Sequence, residues 1–450
     1  MTGAVCPVVR PAARAGGAAV LAALVVLVSS AAAQPPKDPP PSADEQKARE
    51  AFQAGKFDDA LKSLQAAAKA NPAVGLPKVV LSQWFLQANA GEQARLVLEQ
   101  AAAEDPAHPH VLLTNGSYAL REGRITDTIL SCTAALAAAD NPRWDAESKK
   151  RYQREARLGL VAAYGRRGDQ VETRTHLTAL LEADPRNAQL RQSLARTNFQ
   201  LGRPEDAYTD LKVAHKDDQT LDPPELTMAE LWTGKQDFAK ADEWYAKALA
   251  GHGQSAKVVR GLGSYSLDRG RLEAAKEHLA SAEKLEPNAK ETKALAGLLA
   301  RYTKDYAKAT AVFEELVRDH PSFSFATVNL AVVLAESGDA NGRRRAVELA
   351  DGFARQNPRN SEARAVLAYC LFKAGRTADA EKAAQATLAT GTLTADAAYF
   401  AATILADRSI FEDAHKLLKA AVESKDGFVY RKDAEALLAT VEKKLPPPKK

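Results

Sequence analysis

Rings, sulfur and charge of one sign are all in short supply in this chain. Phe, Trp and Tyr make up 6% of 450 residues, with 2 Met and 3 Cys. So few cysteines exclude a disulfide-stapled scaffold. A core short of rings has to be built from aliphatic and small side chains. Ala dominates many windows, and small residues suit helices pressed close together. Lys and Arg number 61 against 57 Asp and Glu, a formal charge of +4. That balance leaves no polybasic footprint for nucleic acid and no long-range attraction to anionic lipid. No run after residue 33 is apolar enough to span a bilayer. HExxH, GxSxG, GxxxxGK[ST] and CxxC are all missing, so no standard zinc, nucleophile, phosphate-loop or redox chemistry is announced. What is plentiful is apolar surface: 46% hydrophobic residues suffice for a large buried core and exclude gross disorder.

The N-terminus carries an address. Arg10 and Arg14 precede a short apolar stretch from Ala18 to Val28, and small residues at Ala31 and Ala33 follow. This is the layout of a secretory signal cut after Ala33. Removal of residues 1–33 takes away two bases and no acid, leaving 59 bases, 57 acids and a charge of +2. No cysteine follows the apolar stretch and the arginines are not adjacent, which disfavours a lipoprotein or twin-arginine signal. The alternative is a retained membrane anchor, because Gly16 to Ala33 gives 18 small or apolar residues, at the lower edge for a span. Either way the remainder is expected to be exported, periplasmic or secreted, and the Ala-rich signal points to a bacterial envelope. Residues 34–43 are a proline-rich, extended linker, and 445–450 a short tail of the same kind.

The body repeats itself. With Ala60 of FDDALKSL as a ruler, comparable positions are Ala94, Thr128, Thr173, Ala207, Ala241, Ala275, Ala309, Ala346, Ala380 and Ala414. Eight of the ten steps are 34 residues; the others are 45 and 37. Four and seven residues beyond the ruler stand further apolar or small columns, such as Leu64 and Ala67, or Leu211 and Ala214. Positions zero, four and seven share one face of a helix. Twelve before the ruler the residue is small in almost every unit, as at Ala48, Gly116, Gly263 and Gly297, which a close helix crossing requires. Twelve after it Pro often stops the helix, as at Pro72, Pro106 and Pro287. Gly55, Gly168, Gly202, Gly270, Gly338 and Gly375 separate the two helices of a unit, supplying a left-handed backbone. The 45-residue step holds an insertion near 139–150 that either lengthens a connection or divides the stack. The 37-residue step holds three extra residues between Gly338 and Arg345.

This pattern resembles the tetratricopeptide repeat, with its 34-residue period and its small residue, Ala, apolar residue and Pro at fixed offsets. The resemblance covers about residues 41–427, some 11 units; the family's early Trp is missing, and several units lack the Pro. It implies an all-α fold, an α-α superhelix or solenoid of antiparallel helix pairs over 44–428. A lone charged helix at 429–444 is expected to cap the stack. It also implies that first helices line a concave surface where partner proteins lie as extended peptides or single helices. One family subtype grips a C-terminal carboxylate with Lys and Asn residues. Asn329 takes one such position here, but Ala294, Leu298, Glu362 and Val366 stand around it, so the clamp is not reproduced.

Transferred to this sequence, positions 2, 5, 9, 12 and 13 of each first helix give the outward-facing candidates. Arginines and aromatics most often dominate interface energy. The partner-binding candidates are therefore Arg196, Phe199, Lys257 and Arg260 in the middle, and Tyr302, Tyr369, Phe372 and Tyr399 towards the C-terminus. The alternative is that several pack against the neighbouring helix. No catalytic residue, cofactor or metal site is expected. His108 and His110 are the only close histidine pair, in a link broken by Pro109 with no third ligand near. Cys132 and Cys370 stand seven repeats apart, too far for a bridge, and are expected to be small buried residues. Asn115 begins an NGS sequon on a face that should be largely buried. The expected function is a non-enzymatic scaffold or adaptor that binds other proteins. A chaperone-like holder of envelope clients is the second reading, and an enzyme or carbohydrate-binding protein the third.

Overall fold

The computed structural model of the chain describes residues 8–9, 42–71, 75–358, 360–388, 392–425 and 427–445. The segment read as the signal, the proline-rich linker up to residue 41 and the tail from 446 lie outside them, apart from Val8 and Val9. These two form a two-residue parallel pairing with Thr392–Leu393. All other regular structure among the described residues is helical. The fold is all-α, and consecutive helices pack as antiparallel pairs.

Among the described residues the chain divides into two compact units, one ending at Pro224 and the other starting at Glu225 and including Val8 and Val9. In the N-terminal unit the pairs are α1 (Ala43–Gln53) with α2 (Phe57–Ala70), α3 (Pro77–Gln87) with α4 (Gly91–Glu104), and α5 (Pro109–Arg121) with α6 (Ile125–Ala138). Then come α7 (Ala146–Arg167) with α8 (Gln170–Ala183), and α9 (Ala188–Gln200) with α10 (Pro204–Asp217). The C-terminal unit takes up α11 (Pro224–Gly234), α12 (Phe238–His252), α13 (Ala256–Asp268), α14 (Leu272–Leu285), α15 (Lys290–Tyr302) and α16 (Tyr306–Asp319). It continues through α17 (Ser324–Glu336), α18 (Ala340–Gln356), α19 (Ser361–Lys373), α20 (Thr377–Leu388), α21 (Ala395–Asp407), α22 (Phe411–Glu423) and the unpaired α23 (Arg431–Glu442).

The period of the sequence is the period of the structure. In ten units the second helix starts three residues before the ruler residue; in the eleventh, α18 starts six before Ala346. The three extra residues of the 37-residue step therefore lengthen α18 by nearly a turn. The 11 extra residues of the 45-residue step are also largely helical. The helix α7 runs for 22 residues against 13 in α5 or α9, with the Asp145 carboxylate accepting from the Ser148 N–H at 2.8 Å as its N-cap. The insertion thus builds helix and leaves only a short connection. The division between units falls at Pro224, away from it.

Each pair turns on one left-handed residue. The backbone φ is positive at Gly55, Gly123, Gly168, Gly202, Gly270, Gly338 and Gly375, and equally at Asn89, Gln236, Lys304 and Ser409. Eleven units give eleven such positions, seven of them glycine. The next N–H usually reaches back five residues, as Lys56 does to Ala51 at 2.9 Å and Asp305 to Ala300 at 2.9 Å. That bond satisfies a helix carbonyl left open at the C-terminus. The small-residue column lies where first and second helices cross. A Cβ added at Gly297 would stand 2.7 Å from the ring of Phe313, a fully buried side chain, so the glycine makes room for the phenylalanine. Cys132 and Cys370 are both buried free thiols, and burial pushes each up to about 12.

Candidate functional site

In the C-terminal unit side chains of three first helices meet on a face around Arg301. Arg301 occupies position 12 of α15 and is 8% exposed. Its Nη1 donates to Asn329 Oδ1 at 2.9 Å, from α17, and its Nη2 to Asp396 Oδ2 at 3.0 Å, from α21. Asn329 is held in turn by donating to the Phe325 carbonyl one turn back, at 3.0 Å. Burial works against the guanidinium charge, but Tyr430 and Asp396 more than offset it, so Arg301 stays protonated above its ordinary range. A cavity of about 40 Å³ lies between Arg301, Asn329, Glu362, Asp396 and Phe400.

Beside this charge cluster stands an aromatic one. Tyr369 of α19 stacks on Phe400 of α21 at 4.0 Å between centroids, and its hydroxyl donates to the Glu336 carboxylate at the end of α17. Lys373 Nζ lies 3.2 Å from the same carboxylate. Burial, reinforced by Tyr430 and Glu336, raises the Tyr369 hydroxyl far above its usual range and keeps it a donor. Burial likewise pushes Tyr399 up to about 12.

This face is already covered, by the chain itself. The link from α22 to α23 crosses it and inserts two rings. Tyr430 stacks on Tyr399 at 5.0 Å, meets Phe400 edge-on at 5.4 Å and lies 5.4 Å under the Arg301 guanidinium. Phe428 meets Tyr399 edge-on at 6.1 Å. Both rings are buried. Polar contacts fix the ends of the link. Arg269, just past α13, donates to the Lys425 carbonyl at 3.1 Å, and Lys304 pairs with Asp433 at 3.1 Å. Gly427 sits so close to α13 that a Cβ there would be 2.7 Å from Asp268 Cα.

The sequence-based candidates fall into three groups. Tyr399, Tyr302 and Phe372 lie half-buried on the C-terminal face. Tyr369 belongs to that face but is 1% exposed; its expected outward position is corrected, because its ring is spent on Phe400 of the next first helix. Phe199 is corrected too, being 1% exposed within the N-terminal unit, as befits a ring at the end of a packed helix. Arg196 is half-buried in the N-terminal unit, and Lys257 is exposed in the C-terminal one. Arg260 is half-buried there and bonded to Glu286 and Thr292 at 2.6 and 3.3 Å. The division at Pro224 separates Arg196 and Phe199 from Lys257 and Arg260. Sequence reasoning missed Asp396 and Glu336 as partners, and missed Phe428 and Tyr430 altogether. Their signal was an aromatic pair, two residues apart, in a ring-poor chain just outside the last repeat.

The first helices of the N-terminal unit present a different surface. Arg49 and Glu155 are exposed there, and Gln83, Arg151 and Gln192 half-buried. His108 and His110, expected in a broken link, instead start a helix: His108 caps α5, accepting from the His110 N–H at 3.1 Å, and Pro109 is its first residue. His110 Nδ1 accepts from the Leu76 N–H at 3.3 Å. Burial lowers both imidazoles to about 4. Among the described residues no three His, Cys, Asp or Glu side chains are placed to hold a metal, and no helix is long and apolar enough to cross a membrane. Asn115 is half-buried.

Family models described as tetratricopeptide repeat match residues 51–116, 338–392 and 371–427. Solved structures with a similar fold include yeast Tom70, 14% identical over 89% of this chain and 95% of that one, with a TM-score of 0.35. A tetratricopeptide repeat protein from Parabacteroides merdae is 17% identical over 64% of this chain and 98% of its own, TM-score 0.37. PilW, a type IV pilus biogenesis factor, is 20% identical over 46% and 91%, TM-score 0.34. No curated protein matches the chain.

Proposed function

We propose that this chain of tetratricopeptide repeats is a non-enzymatic scaffold of a bacterial envelope, holding partner proteins on the faces formed by its first helices. One observation carries the reading. First helices of both units keep long polar side chains partly exposed after pairing, among them Arg196, Lys257 and Arg260. A preformed face of this kind binds with little ordering cost of its own. The Ala-rich leader supports export, periplasmic or secreted.

Crosslinking pull-down from envelope fractions tests this, with wild type set against Arg196→Ala, Lys257→Ala, Arg260→Ala. A discrete partner, lost in the variant at unchanged helical content, is the expected result. Capture of no discrete protein by wild type would contradict the scaffold. Broad capture of unfolded chains would favour the client-holding alternative. The mature N-terminus, read by mass spectrometry, is expected at Gln34; an intact leader would mean a retained anchor.

A further inference from the structure

The C-terminal unit holds a second message in the link between α22 and α23. We propose that this link is a built-in occupant of the first-helix face, and that the face serves a partner peptide of the same chemistry. That peptide is a short segment with two aromatic side chains two residues apart, the second followed directly by a basic residue. The proposal rests on the scaffold reading and adds what the partner looks like and what it must displace.

The observations come from four separate first helices. Tyr430 is sandwiched between Tyr399 and the Arg301 guanidinium, with Phe400 at its edge. Phe428, two residues earlier and just before the turn that starts α23, meets Tyr399. The residues that receive them come from α15, α19 and α21, while the backbone is held by Arg269 after α13. A link whose only task was to reach α23 would not need to run along α13, α15 and α21 with both rings inserted. Arg431 caps the other end by donating to the carbonyls of Val422 and Ser424, the latter at 2.7 Å, so the segment closes on itself as a compact unit. Its polar anchors are weak. Lys304 and Asp433 are well exposed, and exposed pairs of this kind contribute little. The rings therefore hold the segment, and a peptide offering the same rings can compete for their place. The cavity of about 40 Å³ beside Arg301 and Asp396 lies next to the face, and in it Arg301 Nε and Asp396 Oδ1 make no hydrogen bond. It offers a longer polar side chain of a partner something the chain's own segment does not use.

The test adds a labelled synthetic peptide of residues 422–433 to the full chain and reads fluorescence anisotropy. Wild type is compared with Phe428→Ala, Tyr430→Ala, and with Arg269→Ala, Lys304→Ala, which loosens the segment without touching its rings. The double aromatic variant is expected to bind the peptide at least ten-fold more tightly than wild type, and the loosened variant to fall between them. A control peptide with both aromatics replaced by alanine is expected not to bind. Equal binding by wild type and variants, or none by a variant of unchanged helical content, would overturn the proposal. If the aromatic variant loses helical content, the loosened one decides by the same criteria. A wild-type dimer that exchanges these segments, read by light scattering, would make the occupant a second copy and also overturn it. A failed peptide titration beside a successful pull-down would remove this proposal and leave the scaffold. Peptide binding with no pull-down partner would leave a self-contact and remove the scaffold.

Discussion

The two units are made of the same repeat but spend their first helices differently. In the C-terminal unit the largest core cluster runs from Ala294 to Val441 and takes in Tyr369, Phe400, Phe428 and Tyr430, beside two smaller groups around Tyr245 and Leu279. In the N-terminal unit the core is in smaller groups, one around Leu64, Phe85 and Leu98, another around Leu177 and Leu194, while the first-helix face carries Arg49, Glu155 and Arg196. The lesson is that helix pairing is set by the repeat and is common to both, whereas the face is set by the few positions the pairing leaves free. Aromatics at those positions attract further apolar chain and close the face.

The largest effects should come from breaking the closed face. Arg301→Ala strands the Asp396 carboxylate and the Asn329 amide, and loss of one partner from a buried pair costs about 3–5 kcal/mol. Chemical denaturation is expected to show the C-terminal unit unfolding earlier, with the N-terminal unit unmoved. Arg301→Met, which keeps the volume without the hydrogen bonds, should cost as much; a neutral result would mean the ion pair merely fills space.

Acid should separate the units in the opposite sense. His110 titrates near 4 in the folded chain against an ordinary 6.5. Its contribution to stability is complete above about pH 6.5 and is lost as pH falls towards 4, because the unfolded chain takes up the proton first. The full shift corresponds to roughly 3 kcal/mol. His108 moves the same way, and burial also lowers His176 in this unit and His278 in the other. Hydrogen exchange at pH 7 and pH 4.5 should therefore show α3 and α5 loosening before α15 to α21, and His110→Gln should remove most of the difference.

A smaller effect is expected at the helix crossing. Gly297→Ala pushes a methyl into the Phe313 ring, and overpacking of this kind costs about 1–3 kcal/mol. Thermal melts should show it, and Phe313→Leu in the same chain should restore part of the loss. The smallest effect belongs to the turns. Ser409→Gly is expected to gain about 0.5–1 kcal/mol by removing a side chain from a left-handed position, and Gly202→Ala to lose a similar amount.

Those turns also mark what the sequence can and cannot disclose. The ruler at Ala60, Ala94 and their successors keeps ten of the eleven second helices in one register; only α18, at the 37-residue step, starts three residues earlier. Glycine identified the left-handed turn where it occurred. Asn89, Gln236, Lys304 and Ser409 adopt the same backbone with side chains attached, since the packed pair on either side dictates the turn whatever residue sits there. The candidate site was half legible. Position counting marked Tyr302, Tyr369, Phe372 and Tyr399 as outward-facing; of these Tyr302, Phe372 and Tyr399 are half-buried and Tyr369 is buried. It could not tell that Tyr369 would be consumed by Phe400, because which rings pair across neighbouring first helices depends on geometry rather than period. It also had no hold on Phe428 and Tyr430, which lie beyond the last repeat where periodicity ends. The insertion at 139–150 was legible in length only; its helical continuation as α7 needs the Asp145 cap and the neighbouring helices.

The central claim, that the C-terminal unit's face is occupied by its own chain, is tested most directly by zero-length carbodiimide crosslinking of the full-length protein followed by peptide mass spectrometry. Lys304 and Asp433 are 3.1 Å apart, and Lys293 and Glu315, on adjacent helices, 2.7 Å apart. Both crosslinks are expected within single molecules of wild type, and in Phe428→Ala, Tyr430→Ala the first should vanish while the second stays. A wild-type chain that yields Lys293–Glu315 but no Lys304–Asp433 would contradict the account.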